Sequence, residues 1–161
     1  MVVTNGNKSE VSVGYSTLYG DMCGGFSVVK DIYKSDLYKL SEWRNENLPS
    51  FSAIKAKEVI PKNIISKEPT AELKEDQKDS DSLPPYDVLD KILYLLVEKE
   101  SSINEIISKG YEPSLVTKVQ NLLYNSEYKR RQAAPGVKIS ERNFGYDRRY
   151  PITNAFRDKE K

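Results

Sequence analysis

The chain opens with Val2-Val3-Thr4, a β-favouring stretch that runs straight into Asn5-Gly6-Asn7, a turn signature. A strand satisfies its edges and buries its faces only beside other strands. No parallel partner is evident elsewhere in the 161 residues. The first expectation is therefore the end of one strand of an α/β sheet, with neighbouring strands lying upstream or on another polypeptide.

Downstream the apolar pattern is helical. Leu37, Leu40 and Trp43-Arg44 recur at helical spacing, with Ser35 as the expected cap and 45–49 as the terminator. Three further helices are expected over 86–131. Asp87 is placed to cap a helix carrying Leu89, Ile92, Leu93, Leu96 and Val97. Ser102-Ile103-Asn104-Glu105 reads as a capping box, with Gly110 at the position just past that helix. Pro113 suits the first turn of a third helix striped by Leu115, Val119, Leu122 and Leu123. Tyr128-Lys129-Arg130-Arg131 falls near its end, where cations complement the helix dipole.

Three stretches read differently. The Gly-rich run 14–26 (GYSTLYGDMCGGF) within 1–34 is either a flexible connector or backbone that uses positive φ and close approach. The polar, acidic 66–85 reads as a linker by composition, although loops of that length inside a domain often act as lids. The tail 132–161 is irregular and basic.

Composition narrows the chemistry. There is no histidine, which removes imidazole acid–base catalysis and His-ligated zinc. One cysteine, Cys23, excludes an internal disulfide and a Cys-rich metal site. Lys, Arg, Asp, Glu, hydroxyls and backbone amides remain. No basic stretch precedes an apolar one at the start, and no apolar run reaches the roughly 18 residues of a membrane helix. A cytoplasmic, membrane-free protein is expected. The net charge of +1 hides a gradient. Residues 67–100 hold five basic against ten acidic side chains, and 128–161 hold ten basic against four. Either the two faces complement each other across the fold, or the basic tail meets a polyanion such as nucleic acid or nucleotide phosphates.

Candidate side chains follow. Glu10, just after the strand, is placed to hold Mg²⁺ or a cationic ring, or simply to serve a helix N-terminus. Lys34, Lys129, Arg130 and Arg131 are phosphate-type donors or solvated surface charges. Thr70 offers a hydroxyl. Asp147, flanked by Arg148-Arg149, is either ion-paired locally or part of a site, which makes it a catalytic candidate beside Lys129.

Three long strings go further: GNKSEVSVGYSTLYGDMCGGFSVVKDIYK, EPTAELKEDQKDSDSLPPYDVLD and EYKRRQAAPGVKISERNFGYDRRYPITNAF. In order and spacing they resemble the synthetase domain of NAD synthetases, most closely the glutamine-dependent branch. The resemblance implies a partial α/β domain over 1–161, the mostly helical C-terminal portion of an adenine-nucleotide α-hydrolase-like, Rossmann-related fold. It implies ATP-dependent amidation of deamido-NAD to NAD through an acyl-adenylate, with Mg²⁺ and with ammonia or glutamine as nitrogen source. By the same resemblance Glu10 meets Mg²⁺ or the pyridine end of deamido-NAD, Lys34 and Thr70 contact ATP, and Lys129 binds deamido-NAD. Asn5 stands where the family usually has an ATP-contacting Thr. Leu18 ahead of Tyr19-Gly20-Asp21, where the ammonia-only branch has Lys, supports the glutamine-dependent branch.

The family's pyrophosphate-binding loop, Ser-Gly-Gly-x-Asp-Ser, has no counterpart here, and Cys23 lacks the setting of the amidase nucleophile. The expectation is a C-terminal portion that works with a partner polypeptide and forms a homodimer when complete. The alternative is a non-catalytic remnant or subunit. A small nucleic-acid binder ranks last, and no nucleic-acid partner is expected. With most of a sheet expected elsewhere, the three C-terminal helices are expected to lack a surface to bury against.

Overall fold

A computed structural model describes residues 1–67 and 83–159. In chain order the elements are β1 (Val3–Thr4), α1 (Lys8–Val13), β2 (Phe26–Ser27), α2 (Lys34–Glu46), α3 (Lys62–Ser66), α4 (Tyr86–Val97), α5 (Ile103–Ser108), α6 (Pro113–Asn125) and α7 (Glu127–Arg130). The fold is mixed α/β and mostly helical. Thr70 and most of the acidic 66–85 stretch lie outside the described residues.

The expectation of a strand without a partner is corrected. β1 pairs in parallel with β2, Val3 opposite Phe26 and Thr4 opposite Ser27. Ser27 in turn bridges Gly136 of the tail. Phe26-Ser27 is too short to carry a period-2 signature, so sequence periodicity is blind to it. The Gly-rich run between the strands folds back on β1. A Cβ at Gly24 would sit 2.6 Å from Thr4 Cγ2, so this glycine permits a close backbone approach.

The helices start for local reasons, and two of them differently from expectation. The Ser102–Glu105 capping box is present, and Gly110 takes a φ of 93° just past the C-cap Lys109. Pro113 is the first residue of α6, whose amides at Ser114 and Leu115 are taken by the Glu112 carboxylate at 3.0 and 2.7 Å. Asp87 is not a cap. It lies in the first turn of α4, which Pro85 precedes. Ser35 is not a cap either: Tyr33 holds that position with no side-chain bond, and Ser35 lies inside α2. Proline and tyrosine compete for these places because their extended backbone suits the entry to a helix, whatever their side chains donate.

The core gathers Leu89, Ile92, Leu93, Leu96 and Val97 of α4, Ile103 and Ile106 of α5, and Val116, Val119 and Leu123 of α6. Val11 and Val13 of α1 join them, with Phe144 and Tyr150 of the tail. The helices therefore do find a surface: each other, α1 and the folded-back tail, contrary to expectation. α2 and α3 contribute no buried residue.

A cation lies at the centre of this packing. Lys8 is fully buried. Its ammonium pairs with Glu98 and, at 3.1 Å, with Asp31. It also donates to Ser140 Oγ at 2.5 Å and to the Arg142 carbonyl at 2.9 Å. Asp31 takes the Ile139 and Ser140 amides at 2.7 and 2.8 Å, and Glu98 takes the Arg142 amide at 2.8 Å. The tail is thus bolted to α1 and to the end of α4. Burial pushes the Asp31 carboxyl up, but the two amides, the Ser140 hydroxyl and Lys8 together hold it below its ordinary value.

Two outcomes follow. Lys8→Met leaves two buried carboxylates without their cation and should cost about 3–5 kcal/mol, read as a fall in urea midpoint; a loss under about 1 kcal/mol would contradict the bolt. Asp31's value is depressed on folding, so its contribution is complete above the ordinary 3.8 and disappears as the pH falls through the lower folded value. Amide exchange at Ile139 and Ser140 should accelerate selectively on acidification from about pH 6 to about pH 3, relative to the base-catalysed intrinsic rate; uniform behaviour across α4 and the tail would contradict it.

Candidate functional site

α1 enters through a capping box that the sequence text announces only as a turn before a helix. Asn7 Oδ1 accepts the Glu10 amide at 3.0 Å, and Glu10 Oε2 accepts the Asn7 amide at 3.1 Å. The second oxygen of the same carboxylate, Oε1, faces Lys34 Nζ at 3.1 Å. Glu10 therefore serves the helix end and still presents a charged edge. Both side chains of the pair keep 18% of their surface exposed. The Lys34 ammonium also lies 5.7 Å from the Tyr38 ring centre and 5.5 Å from that of Tyr86, so aromatic faces flank it. Such a cation can exchange a carboxylate for a phosphate, and the carboxylate so released can meet a metal or a cationic ring.

Of the sequence-predicted residues, the structure brings Glu10 and Lys34 together. Asn5 is exposed in the connection between β1 and α1. Lys129 lies at the other end of α1, a helix about 9 Å long. There its ammonium donates to the carbonyls of Gly14 and Ser16, at 2.7 Å each. Gly14 ends α1 in the left-handed conformation with φ 69°. A Cβ there would collide with the Ser126 hydroxyl, so this glycine needs both its freedom and its missing side chain.

Asp147 is ion-paired locally, though not to its arginine neighbours. It meets Lys138 at 2.8 Å and takes the Asn143 amide at 2.8 Å, which closes a turn in the tail. Arg148 instead reaches Glu100 at 2.6 Å. Arg130 is neither a surface charge nor a free donor. It is buried on Glu127 at 2.9 Å and donates to the carbonyls of Ser12 at 2.7 Å and Leu123 at 2.6 Å. Burial lowers its guanidinium below the ordinary value, and Glu127 opposes that. Arg131 stacks its charge on the other oxygen of Glu127, at 2.7 Å.

Two residues beside the pair, Ser9 and Asp90, escape sequence reasoning, and a third, Ser35, is read there only as a cap. The Asp90 carboxylate takes the Ser9 hydroxyl, and its other oxygen takes the Ser35 amide and hydroxyl at 2.9 and 2.7 Å. The only textual signal is an acid on the apolar side of α4, one residue after Leu89. Burial raises the Asp90 carboxyl, which the Ser9 and Ser35 bonds only partly offset.

Among the described residues no group of three or more Cys, Asp or Glu converges as a metal cage. No helix among them is long and apolar enough to cross a membrane. The sequence profile of NAD synthase matches residues 1–133. The chain belongs to the NAD synthase family. Among curated proteins of the family, the glutamine-dependent NAD(+) synthetase of Rhodobacter capsulatus is 49% identical over 99% of this chain and 29% of its own length. That of Thermotoga maritima is 51% identical over 98% of this chain and 26% of its own length. The chain thus spans little more than a quarter of the relatives it matches. A crystal structure of a glutamine-dependent NAD(+) synthetase from Cytophaga hutchinsonii shares the fold over 95% of this chain and 24% of its own, with a TM-score of 0.68 at 23% identity.

Gly14→Ala should cost about 1–2 kcal/mol through the left-handed backbone, and more through the clash with Ser126, read as a drop in melting temperature. The same change should free Lys129 from the two carbonyls. An unshifted melting temperature would show that the C-cap tolerates a side chain.

Proposed function

We propose that this chain takes part in NAD biosynthesis, as part of the ATP-dependent amidation of deamido-NAD to NAD. The Glu10–Lys34 pair carries the reading. It sets a phosphate-competent cation against a carboxylate at the start of α1, in a chain of this family. In the reaction, a carboxylate oxygen of deamido-NAD attacks the α-phosphorus of ATP and pyrophosphate leaves. Ammonia, free or derived from glutamine, then attacks the acyl carbon and AMP leaves.

Lys34 would offset charge on the phosphates, its ammonium flanked by the Tyr38 and Tyr86 rings. Glu10 would meet Mg²⁺ or the pyridine end of deamido-NAD. One carboxylate suits Mg²⁺ only when phosphates supply further oxygens. Bound in that way, Mg²⁺ would neutralise charge on the transferred phosphate. Lys129 would bind deamido-NAD after giving up the Gly14 and Ser16 carbonyls. Asn5 would offer an amide, and Thr70 a hydroxyl, to ATP. Asp147 is occupied by Lys138 and takes no part in this reading. The acidic 66–85 segment would act as a lid, since an acyl-adenylate left wet hydrolyses.

A Ser-Gly-Gly-x-Asp-Ser loop is missing from these residues, and the relatives are three to four times as long. We propose that such a loop is supplied from outside these residues, by an upstream part or a partner polypeptide, in a homodimeric cytoplasmic assembly. The missing loop equally supports a second reading, a subunit or remnant without catalysis of its own.

The purified chain is assayed for NAD and AMP formation from deamido-NAD, ATP, Mg²⁺ and ammonium. It is tested alone and mixed with a separately made polypeptide covering the upstream part of a relative. Activity is expected only in the mixture, and Lys34→Ala should lower its kcat/KM by on the order of 100-fold, about 2.7 kcal/mol. Activity of these residues alone would overturn the need for the missing loop. An inactive mixture would leave the remnant reading.

A further inference from the structure

We propose that Asp90 is the positioning residue of the Glu10–Lys34 pair, acting through Ser9 and Ser35 without touching either partner. The first amides of a helix have no acceptor within it. In α2 these include Lys34 and Ser35, and neither is capped from within the local sequence, because Tyr33 offers no side-chain bond. Both amides are satisfied from other elements instead. The Lys34 amide donates to Ser9 Oγ of α1 at 2.9 Å, and the Ser35 amide donates to Asp90 Oδ2 of α4 at 2.9 Å.

Ser9 Oγ in turn gives its own proton to Asp90 Oδ1. One buried carboxylate, 5% exposed, thus ends both chains of bonds. Its negative charge also lies against the positive end of the α2 dipole. Ser9 is the residue before Glu10, and the amide that Ser9 accepts belongs to Lys34 itself. The register of α1 against α2, and with it the 3.1 Å approach of Lys34 to Glu10, is fixed at this point. Within α2 itself no side chain is buried; the buried Tyr33 at its N-cap seats the helix start in the core, and these bonds set the register beyond it. A carboxylate is needed because all the groups around it donate. An Asn amide would turn its NH₂ against a donor on one side.

The inference is about geometry; only its effect on nucleotide binding rests on the proposed role of Lys34. Both are measured on the full chain. Amide hydrogen exchange is followed for Asp90→Asn, and ATP affinity with Mg²⁺ is measured for wild type, Asp90→Asn, Lys34→Ala and the double variant. Exchange at Lys34 and Ser35 should quicken at least tenfold in Asp90→Asn while α6 keeps its protection. ATP should bind roughly tenfold more weakly (about 1.4 kcal/mol), and that penalty should vanish when Lys34 is already Ala.

A penalty that persists undiminished in the Lys34→Ala background would mean a general structural role and overturn the proposal. Unchanged exchange at Lys34 and Ser35 would overturn it too. Wild-type chain that binds no ATP would defeat the nucleotide reading for this chain, and the exchange data alone would then decide the positioning. Where Asp90→Asn does not fold, Ser9→Ala keeps the carboxylate and cuts the link to Lys34. Faster exchange at the Lys34 amide supports the proposal, and unaltered exchange refutes it.

Discussion

A fully buried ammonium between two buried carboxylates organises this chain. Isolated, the Lys8 charge would be intolerable in the core, and so would Asp31 or Glu98. Together with the Ser140 hydroxyl, the Arg142 carbonyl and the tail amides they satisfy one another. The arrangement contributes little beyond what apolar side chains of the same size would, but removing any single member is costly. Its consequence is topological. The loop after β2, the first residue of α1, the end of α4 and a tail more than 130 residues downstream of Lys8 must meet at one point.

α1 then acts as an axle with a different device at each end. At its start the Asn7–Glu10 capping box leaves one carboxylate oxygen for Lys34. At its finish Gly14 turns left-handed, so that its carbonyl meets Lys129 while Arg130 takes the carbonyl of Ser12. Five of its six residues are buried, which leaves Glu10 as the side chain through which the helix addresses solvent. Six residues are too few to hold a helix by propensity alone. Its shape is imposed by the buried ion cluster at one end and by α6 and α7 along its side.

What could be read from the text is what is local. The Ser102 capping box, Pro113 at a first turn and Gly110 beyond a helix end are decided by neighbours within four residues, and each stands as expected. Glu10 and Lys34 were nameable from family-like strings, although their 3.1 Å contact crosses 24 residues and carries no periodic signal. Ser35 shows why such reading fails. Its composition fits a cap, but its amide and hydroxyl are drawn to Asp90, 55 residues away, and the cap position falls to a tyrosine. Arg130 fails in the opposite sense. Amid Lys129 and Arg131 it reads as one of three surface cations, yet Glu127 and two backbone carbonyls make its burial tolerable. A sequence records charge, and only tertiary structure records which charges are neutralised.

The charge gradient shows what that distinction decides. Read as a whole, the tail offers a cationic strip to any polyanion. In the fold, Arg142 and Arg148 both converge on Glu100, and Lys99 of the acidic half answers Glu141 of the basic one. Lys138 is held by Asp147, and Arg157 by the side-chain oxygens of Asn121 and Asn125. Arg142, Arg148 and Lys138 are thus paired within the molecule, the first two with an acid of the 67–100 stretch. The Glu10–Lys34 pair is of the same kind, with 18% of each side chain exposed and Glu10 also capping α1. The tail's ion pairs tie it to the end of α4 and to itself, and the Glu10–Lys34 pair ties the starts of α1 and α2 in the same way.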